Sequence, residues 1–388
     1  MYRAVEQKEG GLESEVALKV LRTGLDPAGQ ALHRLRDEAR LLARLNHPTL
    51  LKVFDLVVLN ERVSLVAEYI NGQDLQQCIQ VAPRIPMRPT LEVVARVAGA
   101  LHQAWAGRVV GMDTPLRIVH RDIKPSNIRI SRHGDVKLLD FGIARTDAVA
   151  REASTRTDLM MGSPVYMAPE RFSSKEAHPG SDVFGLGCTL FEALVGSRLF
   201  GGLSVIQMSA MSIDVERFTT FVEERLADIP QQVPADVVNV IRASVRFDPD
   251  ERPSAYDMMQ ACEVLADQVR GPTLSRWCKG RQWPETVGKK GPLSGQFLLE
   301  TGLCESGDVV AQAFASVEDV QRPLSQRTTA QAKRPAKQTH GDPTLVSAAQ
   351  TAPRASSEQP PMGLPMPMNV AMLVVGLGLG LTALYLVW

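Results

Sequence analysis

The chain has 388 residues, and its 43 basic and 43 acidic side chains give a formal net charge of zero. This length exceeds one ordinary domain and predicts a folded domain with an appended segment. The balanced charge gives no indication of nucleic acid as a partner, and the polar stretch 1–15 predicts no signal peptide. The cysteines lack the spacing of metal ligands or of a disulfide framework, which is typical of reduced thiols in the cytosol; they are Cys78, Cys188, Cys262, Cys278 and Cys304.

The amino-terminal region predicts a buried strand followed by a helix. The apolar run 16–21 is short enough for a buried strand, and Lys19 interrupts it. An isolated lysine in a strand is ordinarily a solvated charge. In the next segment apolar residues recur at helical spacing from Leu32 to Leu45. Glu38 lies beside that apolar face, where its carboxylate could turn toward a neighbouring sheet.

Two polar blocks further along the chain contain the candidate catalytic and metal-binding residues. The stretch 120–127 reads His-Arg-Asp-Ile-Lys-Pro-Ser-Asn, and Asp140 opens an Asp-Phe-Gly triplet. A carboxylate at Asp122 can orient and deprotonate a hydroxyl, and Lys124 can offset charge on a moving phosphoryl group. Asn127 and Asp140 supply the hard oxygen ligands that suit Mg²⁺. Phosphoryl transfer needs positioning and electrostatic stabilisation of this kind, so the ordered pair of blocks predicts it.

With these blocks the chain resembles the protein kinase family, in particular the bacterial serine/threonine kinases of the eukaryotic-like (Hanks-type) group, over roughly residues 1–265. Further matches follow in the family's order: Val16-Ala17-Leu18-Lys19, Glu38, Leu65-Val66-Ala67-Glu68-Tyr69, Ala168-Pro169-Glu170, Asp182 and Arg252. The resemblance implies an α+β class, bilobal kinase fold with a small β-rich lobe and a large helical lobe. It also implies ATP and Mg²⁺ as cofactors and protein substrates as partners.

The resemblance assigns a role to each matched residue. Lys19, paired with Glu38, aligns the ATP phosphates, Asp122 and Lys124 act on the transferred group, and Asn127 and Asp140 hold Mg²⁺. The nucleotide-binding residues that it implies are Met1, Ala17, Lys19, Glu68, Tyr69, Asn127 and Asp140. Lys124, two residues after Asp122, is the pattern of serine/threonine kinases, so the expected enzyme phosphorylates protein Ser or Thr.

Regulation is implied by Arg121, which stands before the catalytic aspartate. In the family such an arginine gathers a phosphate on the activation segment through charge-assisted bonds. The best-placed acceptors are Ser154, Thr155 and Thr157. Ser163 stands where the family commonly has threonine, and its hydroxyl could bond to Asp122. An ordinary turn residue before Pro164 is the equal alternative for Ser163.

The amino terminus departs from the family pattern. Kinases cover the nucleotide phosphates with a glycine-rich loop, but the chain opens on a segment that resembles the one after that loop, with Met1 in place of the valine that packs on adenine. Either the start is truncated or the loop is missing. As written, the small lobe would lose its first strand and expose a neighbouring edge.

Two other functions stay open beside the protein kinase. A kinase-fold binding or regulatory protein with weak or no catalysis is favoured only by the absent glycine-rich loop. A small-molecule phosphotransferase shares the aspartate-to-asparagine catalytic loop. The residues Ala168-Pro169-Glu170 with Arg252 argue against the latter, because in the family they support a platform for a protein substrate.

Beyond the kinase-like region the residue composition of the chain changes twice. Residues 266–304 form an extension of uncertain structure. Residues 305–368 are rich in Ser, Thr, Gln, Ala and Pro and predict a disordered linker. Residues 369–388 carry no charge and, at about 1.5 Å per residue, approach the roughly 30 Å hydrocarbon core, which predicts a transmembrane helix. A buried apolar helix or a sticky tail is the alternative.

The residues before this apolar segment predict its orientation, and a glycine pair within it suggests a contact between two helices. Six basic residues between Arg322 and Arg354 precede it, and positive flanks favour the cytoplasmic side. The expected location is therefore the membrane, through a single-pass C-terminal anchor with the kinase domain in the cytoplasm. Gly376 and Gly380 form a Gly-x-x-x-Gly pair that would let two helices approach. A homodimer formed in this way is one alternative, and a spacing without function is the other.

Overall fold

A computed structural model describes residues 1–7, 13–20, 45, 47–59, 62–108, 114–141, 164–173, 178–284, 371–377 and 380–386. Within these ranges the chain forms a sheet-rich small lobe and a helical large lobe, as the α+β prediction requires. The described residues form nine strands: β1 Tyr2–Gln7, β2 Glu13–Val20, β3 Val53–Leu59, β4 Arg62–Glu68, β5 Gly72–Asp74, β6 Ile128–Ser131, β7 Val136–Leu138, β8 Ala371–Leu377 and β9 Gly380–Leu386.

The small lobe is built on one antiparallel sheet with the order β3-β4-β2-β1-β9-β8. Successive side chains of a strand point to opposite faces. In β2, Val16 and Leu18 are fully buried in a small core with Ala4 and Val66. Lys19 therefore falls on the other face, which looks toward the large lobe. The predicted strand around Lys19 is present.

The structure does not show the transmembrane helix predicted at 369–388, and its described residues there form strands β8 and β9. β8 pairs with β9, and β9 pairs with β1 from Ala4↔Leu386 to Gln7↔Ala383. Glycine disfavours a helix interior by about 1 kcal/mol relative to alanine, and three glycines fall between residues 376 and 380. Gly376 and Gly380, the predicted helix-contact pair, instead lie on opposite strands of this hairpin.

The same hairpin changes one other expectation from the sequence. The edge of β1, which the sequence predicts to be exposed, is paired with β9. Among the residues that the structure describes, no helix combines the length and apolar character that a membrane crossing requires.

The large lobe contains the described helices and a second, three-stranded sheet β5-β6-β7. The helices are α1 Leu75–Gln80, α2 Met87–Ala106, α3 Glu170–Ser173, α4 Pro179–Val195, α5 Val205–Met211, α6 Val215–Leu226, α7 Ala235–Ser244, α8 Ala255–Gln268 and α9 Leu274–Gly280. Short 3-10 turns lie at Pro125–Asn127, Pro164–Tyr166 and Pro249–Glu251.

Helix α4 forms the centre of the large lobe. Every residue from 180 to 193 is buried. This agrees with the sequence, because a helix with apolar residues on all sides is expected to be buried. Pro179 opens the helix at a position where its missing N–H costs nothing, and Gly196 ends it at φ 86°, a left-handed conformation that glycine adopts without strain. This rigid, buried helix supplies the anchor for the catalytic loop.

Aromatic side chains pack beside α4. The ring centroids of Phe184 and Phe200 lie 5.8 Å apart, those of Phe200 and Phe218 5.7 Å, and those of Phe218 and Phe247 5.4 Å. Aromatic pairs at such distances stabilise a core beyond the area that they bury. Helix α2 packs against α8 and α4. The catalytic loop therefore rests on a well-packed base.

The described cysteines are free thiols inside the large lobe. Burial raises the pKa of Cys78 to about 12, of Cys262 to about 12 and of Cys278 to about 11, and it raises that of Cys188 as well. Buried thiols with raised pKa values are chemically inert, so these residues act as small apolar side chains.

Candidate active site

The catalytic loop brings three of the predicted residues into contact. Lys124 Nζ lies 2.8 Å from Asp122 Oδ2. The amide nitrogen of Asn127 donates to the backbone oxygen of Asp122 at 2.8 Å and to its Oδ2 at 3.1 Å. The 3-10 turn Pro125–Asn127 folds the loop back so that Asn127 reaches Asp122. These contacts fix the carboxylate of Asp122 beside a cation.

Asp182 on α4 anchors the backbone of this loop. Its two carboxylate oxygens accept the backbone N–H groups of His120 at 2.7 Å and Arg121 at 2.8 Å. Burial raises the pKa of Asp182 to about 6, although these two N–H groups partly offset the effect. Arg121 has φ 67°, and Asp182 stabilises the loop in that strained conformation.

His120 joins the loop to the segment that carries Asp140. The imidazole is fully buried, its Nε2 lies 2.8 Å from the carbonyl oxygen of Leu139, and its ring packs edge-on against Phe141. Burial lowers the pKa of His120 to about 4. The ring is therefore neutral at pH 7, and its Nε2–H donates to Leu139.

Lys19 reaches across from the small lobe. Its Nζ lies 2.5 Å from Oδ1 of Asp140, and both side chains are about one third exposed. Asp140 has φ 57°, a conformation rare for a non-glycine residue and frequent at functional sites. The strand lysine is thus paired with the first residue of the Asp-Phe-Gly triplet rather than solvated alone.

Four more of the predicted nucleotide-binding residues lie in the small lobe and at the end of β4. Ala17 is buried and Met1 is exposed. The ring of Tyr69 lies 5.0 Å from the Arg3 guanidinium. The carboxylate of Glu68 is already engaged, because Lys137 Nζ lies 2.6 Å from its Oε1, which also accepts the Lys52 N–H at 2.7 Å.

Sequence reasoning did not find this contact of Lys137. A lysine in the short strand β7 has the pattern of a solvated charge, and its partner lies 69 residues earlier. The ion pair ties the large-lobe sheet to the end of β4. A network of this kind has no signature in local spacing.

The region after the activation segment forms a second polar cluster. Arg252, whose side chain is fully buried, makes a bidentate ion pair with Glu170, with both N–O distances 2.8 Å. Burial alone would raise the pKa of Glu170, but Arg252 and the Ser181 hydroxyl outweigh it and lower the pKa. Tyr166 donates its hydroxyl hydrogen to the buried Glu192. These contacts hold Ala168-Pro169-Glu170 against α4.

Several predicted residues lie outside the described residues. They are Glu38, Gly142, Ser154, Thr155, Thr157 and Ser163. The described residues among the predicted catalytic and metal-binding ones fall into two groups. Asp122, Lys124 and Asn127 form the loop cluster, and Lys19 with Asp140 forms the pair that faces the small lobe.

The donor chemistry of Asn127 and Asp140 fits a magnesium ion. Mg²⁺ prefers oxygen ligands and is held in phosphotransferases by one or two protein groups together with phosphate oxygens and water. The Asn127 nitrogen is bound to Asp122, so its amide offers the Oδ1 oxygen to a cation. Asp140 offers a carboxylate that already attracts the cationic Lys19.

An antiparallel small lobe, a helical large lobe and a loop that carries Asp122, Lys124 and Asn127 define the class of two-lobed phosphotransferases. The chain belongs to the protein kinase family, since the model of the protein kinase domain matches residues 1–263. Its relatives place it among the bacterial eukaryotic-like kinases, as the sequence predicts.

Three relatives illustrate the similarity. The chain is 34% identical over 272 residues to serine/threonine-protein kinase PknL of Mycobacterium tuberculosis, covering 70% of this chain and 63% of the relative. It is 31% identical to serine/threonine-protein kinase PkaA of Streptomyces coelicolor over 69% of this chain and 48% of the relative. It is also 31% identical to tyrosine-protein kinase MasK of Myxococcus xanthus over 67% of this chain and 40% of the relative. The chain therefore spans less than two thirds of each of these proteins.

Proposed function

We propose that the chain is a serine/threonine protein kinase that transfers the γ-phosphoryl group of ATP to protein hydroxyls. The contact of Asp122 with Lys124 and Asn127 carries the proposal, since it sets a carboxylate, a cation and an oxygen ligand on one short loop. Lys124 at the second position after Asp122 and the names of relatives such as PknL support serine and threonine as acceptors.

The mechanism follows from what each group can do. Lys19 binds phosphate oxygens of ATP once its ammonium turns from Asp140, and Asp140 then becomes available to a cation. Asn127 and Asp140 are the residues that would hold Mg²⁺, which would supply positive charge to neutralise the phosphates. Asp122 accepts the hydrogen bond of the incoming hydroxyl and takes its proton. Lys124 stabilises the negative charge as the phosphoryl group moves to the acceptor oxygen.

The test is Mg²⁺- and ATP-dependent phosphorylation by the full chain, with phosphoamino acids identified by mass spectrometry. We expect phosphoserine or phosphothreonine, and a loss of about 10²- to 10⁴-fold in rate in Asp122→Asn, because the general base is removed. Asp236→Asn, at an exposed position on α7, is the matched control and should retain the rate. Phosphotyrosine alone would refute the specificity, and no phosphate in any variant would favour the binding protein.

Regulation by phosphorylation is the second part of the proposal. Arg121 precedes the catalytic aspartate, and a phosphate on Ser154, Thr155 or Thr157 would supply a partner of opposite charge. Mapping of phosphosites in active enzyme should find at least one of these three residues modified. Active enzyme without any modification in this segment would contradict the proposal.

Membrane attachment is supported by composition. The charge-free stretch 370–388 can exchange its place beside β1 for a bilayer, where it would form a helix. A homodimer through Gly376 and Gly380 would be formed only in that helical state. Cell fractionation should place the full chain in the membrane fraction and chain 1–368 in the soluble fraction. Equal distribution of the two chains would refute the attachment.

A further inference from the structure

Residues 273–283, called the strap below, pack on the large lobe against helix α2. Leu274, Trp277 and Cys278 are buried. The backbone N–H of Leu274 donates to Glu92 Oε2 on α2 at 3.0 Å. A Cβ on Gly134, in the turn between β6 and β7, would lie 3.0 Å from the Cα of Ser275. The strap is thus docked closely on the lobe.

Arg281 is the main polar contact of the strap. Its Nη1 donates to the carbonyl oxygen of Pro83 at 2.7 Å, and its Nη2 donates to Gln73 Oε1 at 3.2 Å. Its guanidinium lies 5.0 Å from the ring centroid of Trp277 and 5.7 Å from that of Trp283. Only 8% of the residue is exposed. A planar guanidinium suits this arrangement, since it stacks on aromatic rings while its edge donates hydrogen bonds.

The partners of Arg281 belong to the segment that leaves the nucleotide-binding region. Gln73 is buried in β5, four residues after Tyr69, and Pro83 follows α1. On its other side this segment is held by Arg129 of β6, which donates to Ile70 O at 2.8 Å and to Gly72 O at 2.7 Å. β6 begins directly after Asn127. The segment is therefore held between the catalytic-loop side and the strap.

The electrostatics of Arg281 favour a positioning role over a purely stabilising one. Its Nε has no hydrogen-bond partner among the described residues, and its two acceptors there, the Pro83 carbonyl and the Gln73 side chain, are uncharged. Burial of a charge against neutral partners is costly, and an apolar side chain between two indole rings would avoid this cost. What an apolar residue could not supply is two directional bonds to positions 73 and 83.

We propose that Arg281 is a positioning residue for segment 69–83, which begins at the predicted nucleotide contact Tyr69, so that docking of the strap sets the affinity for ATP. The proposal rests on the proposed kinase function, because it assigns ATP to this segment. Release of the strap would loosen the segment without touching Asp122, Lys124 or Asn127. The expected signature is a change in KM for ATP with little change in kcat.

The experiment compares full-length wild type with Arg281→Ala, Gln73→Leu and the control Arg276→Ala, which removes an exposed arginine from α9, the helix directly before Arg281. ATP is titrated with myelin basic protein as acceptor, and hydrogen exchange is followed in residues 72–86. We expect KM for ATP to rise roughly tenfold in Arg281→Ala and Gln73→Leu with kcat within about twofold. Exchange in 72–86 should accelerate in both variants, and Arg276→Ala should match wild type.

The outcomes separate this proposal from the proposed function. Faster exchange confined to 273–283 with an unchanged KM would overturn the positioning role. An equal fall of kcat and of kcat/KM would also overturn it, since that pattern indicates damage to the catalytic loop. If wild type showed no transfer, the proposed function would fail. The exchange of 72–86 in the two variants would still support or refute the coupling of the strap to that segment. Gln73→Leu tests the same contact if Arg281→Ala does not fold.

Discussion

At the scale of single residues, His120 links protonation to the structure of the site. Its buried imidazole lies between the catalytic loop and the carbonyl oxygen of Leu139, one residue before Asp140. Burial lowers its pKa from 6.5 to about 4. Between these values the unfolded chain binds a proton at this position and the folded chain does not, so acidification favours unfolding.

The first prediction concerns His120→Gln. As pH falls from about 6.5 to 4, the stability of wild type should decrease relative to the variant by on the order of 2 kcal/mol, because only wild type carries the titrating imidazole. Asp182 acts in the opposite direction, since its raised pKa favours the folded state as pH falls from about 6 toward 3.8. Asp182 contacts the backbone of residue 120, so both proteins retain its contribution.

The measurement is urea unfolding of both proteins at pH 7.0 and 4.5. The difference in the free energy of unfolding should move in favour of His120→Gln at the lower pH. A difference independent of pH would mean that His120 has the same pKa in the folded and unfolded chains.

At the scale of elements, the ion pair of Glu170 with Arg252 joins parts of the chain that are far apart in sequence. Glu170 opens α3, and Arg252 follows the turn Pro249–Glu251. Arg252 also donates to the carbonyl oxygens of Gly180 at 3.0 Å and Phe247 at 2.8 Å. A buried pair stabilises its surroundings weakly, but removal of one partner leaves the other charge uncompensated.

The second prediction compares Arg252→Met with Arg246→Met. The first variant should lose about 3–5 kcal/mol of stability, because it leaves the largely buried carboxylate of Glu170 without its cation. Arg246 pairs with Glu251 at 3.6 Å, and both side chains are more than half exposed. Its loss should cost about 0–1 kcal/mol.

Thermal and urea unfolding of both variants provide the measurement. A double variant, Arg252→Met with Glu170→Leu, should recover part of the loss since no charge then stays buried. Equal effects of Arg252→Met and Arg246→Met would contradict the assigned role of the pair.

At the scale of the whole molecule, the sheet of the small lobe is completed by residues from the other end of the chain. β9 pairs with residues 4–7 of β1, and β8 covers β9. An unpaired strand edge presents free N–H and C=O groups and favours association with other chains. The carboxy-terminal hairpin therefore protects the edge that the sequence predicts to be exposed.

The third prediction follows from this pairing. In chain 1–368 the amides of residues 4–7 should lose protection from hydrogen exchange, while those of β4 should keep it, because β4 lies between β2 and β3. Size-exclusion chromatography should show greater self-association of the shortened chain. Unchanged exchange in residues 4–7 would show that β9 does not cover this edge in solution.

The sequence predicts features that depend on neighbouring residues better than contacts between residues that are far apart in the chain. The strand around Lys19 and the loop from His120 to Asn127 follow from local spacing, and the structure shows them. The contact of Arg281 with Gln73 spans 208 residues and has no local pattern. The apolar run 369–388 predicts burial, but composition alone does not distinguish a bilayer from a sheet edge as its partner.

The buried thiols offer a way to time the opening of the large lobe. A maleimide or an aromatic disulfide reacts only with an accessible thiolate, and Cys188 and Cys262 are 1% and 0% exposed. The variant Cys304→Ser would remove a thiol outside the described residues. In that chain the labelling rate at Cys188 and Cys262 would report how often the regions around α4 and α8 become exposed. If opening of the lobe releases bound nucleotide, then added nucleotide should slow the labelling of these two cysteines.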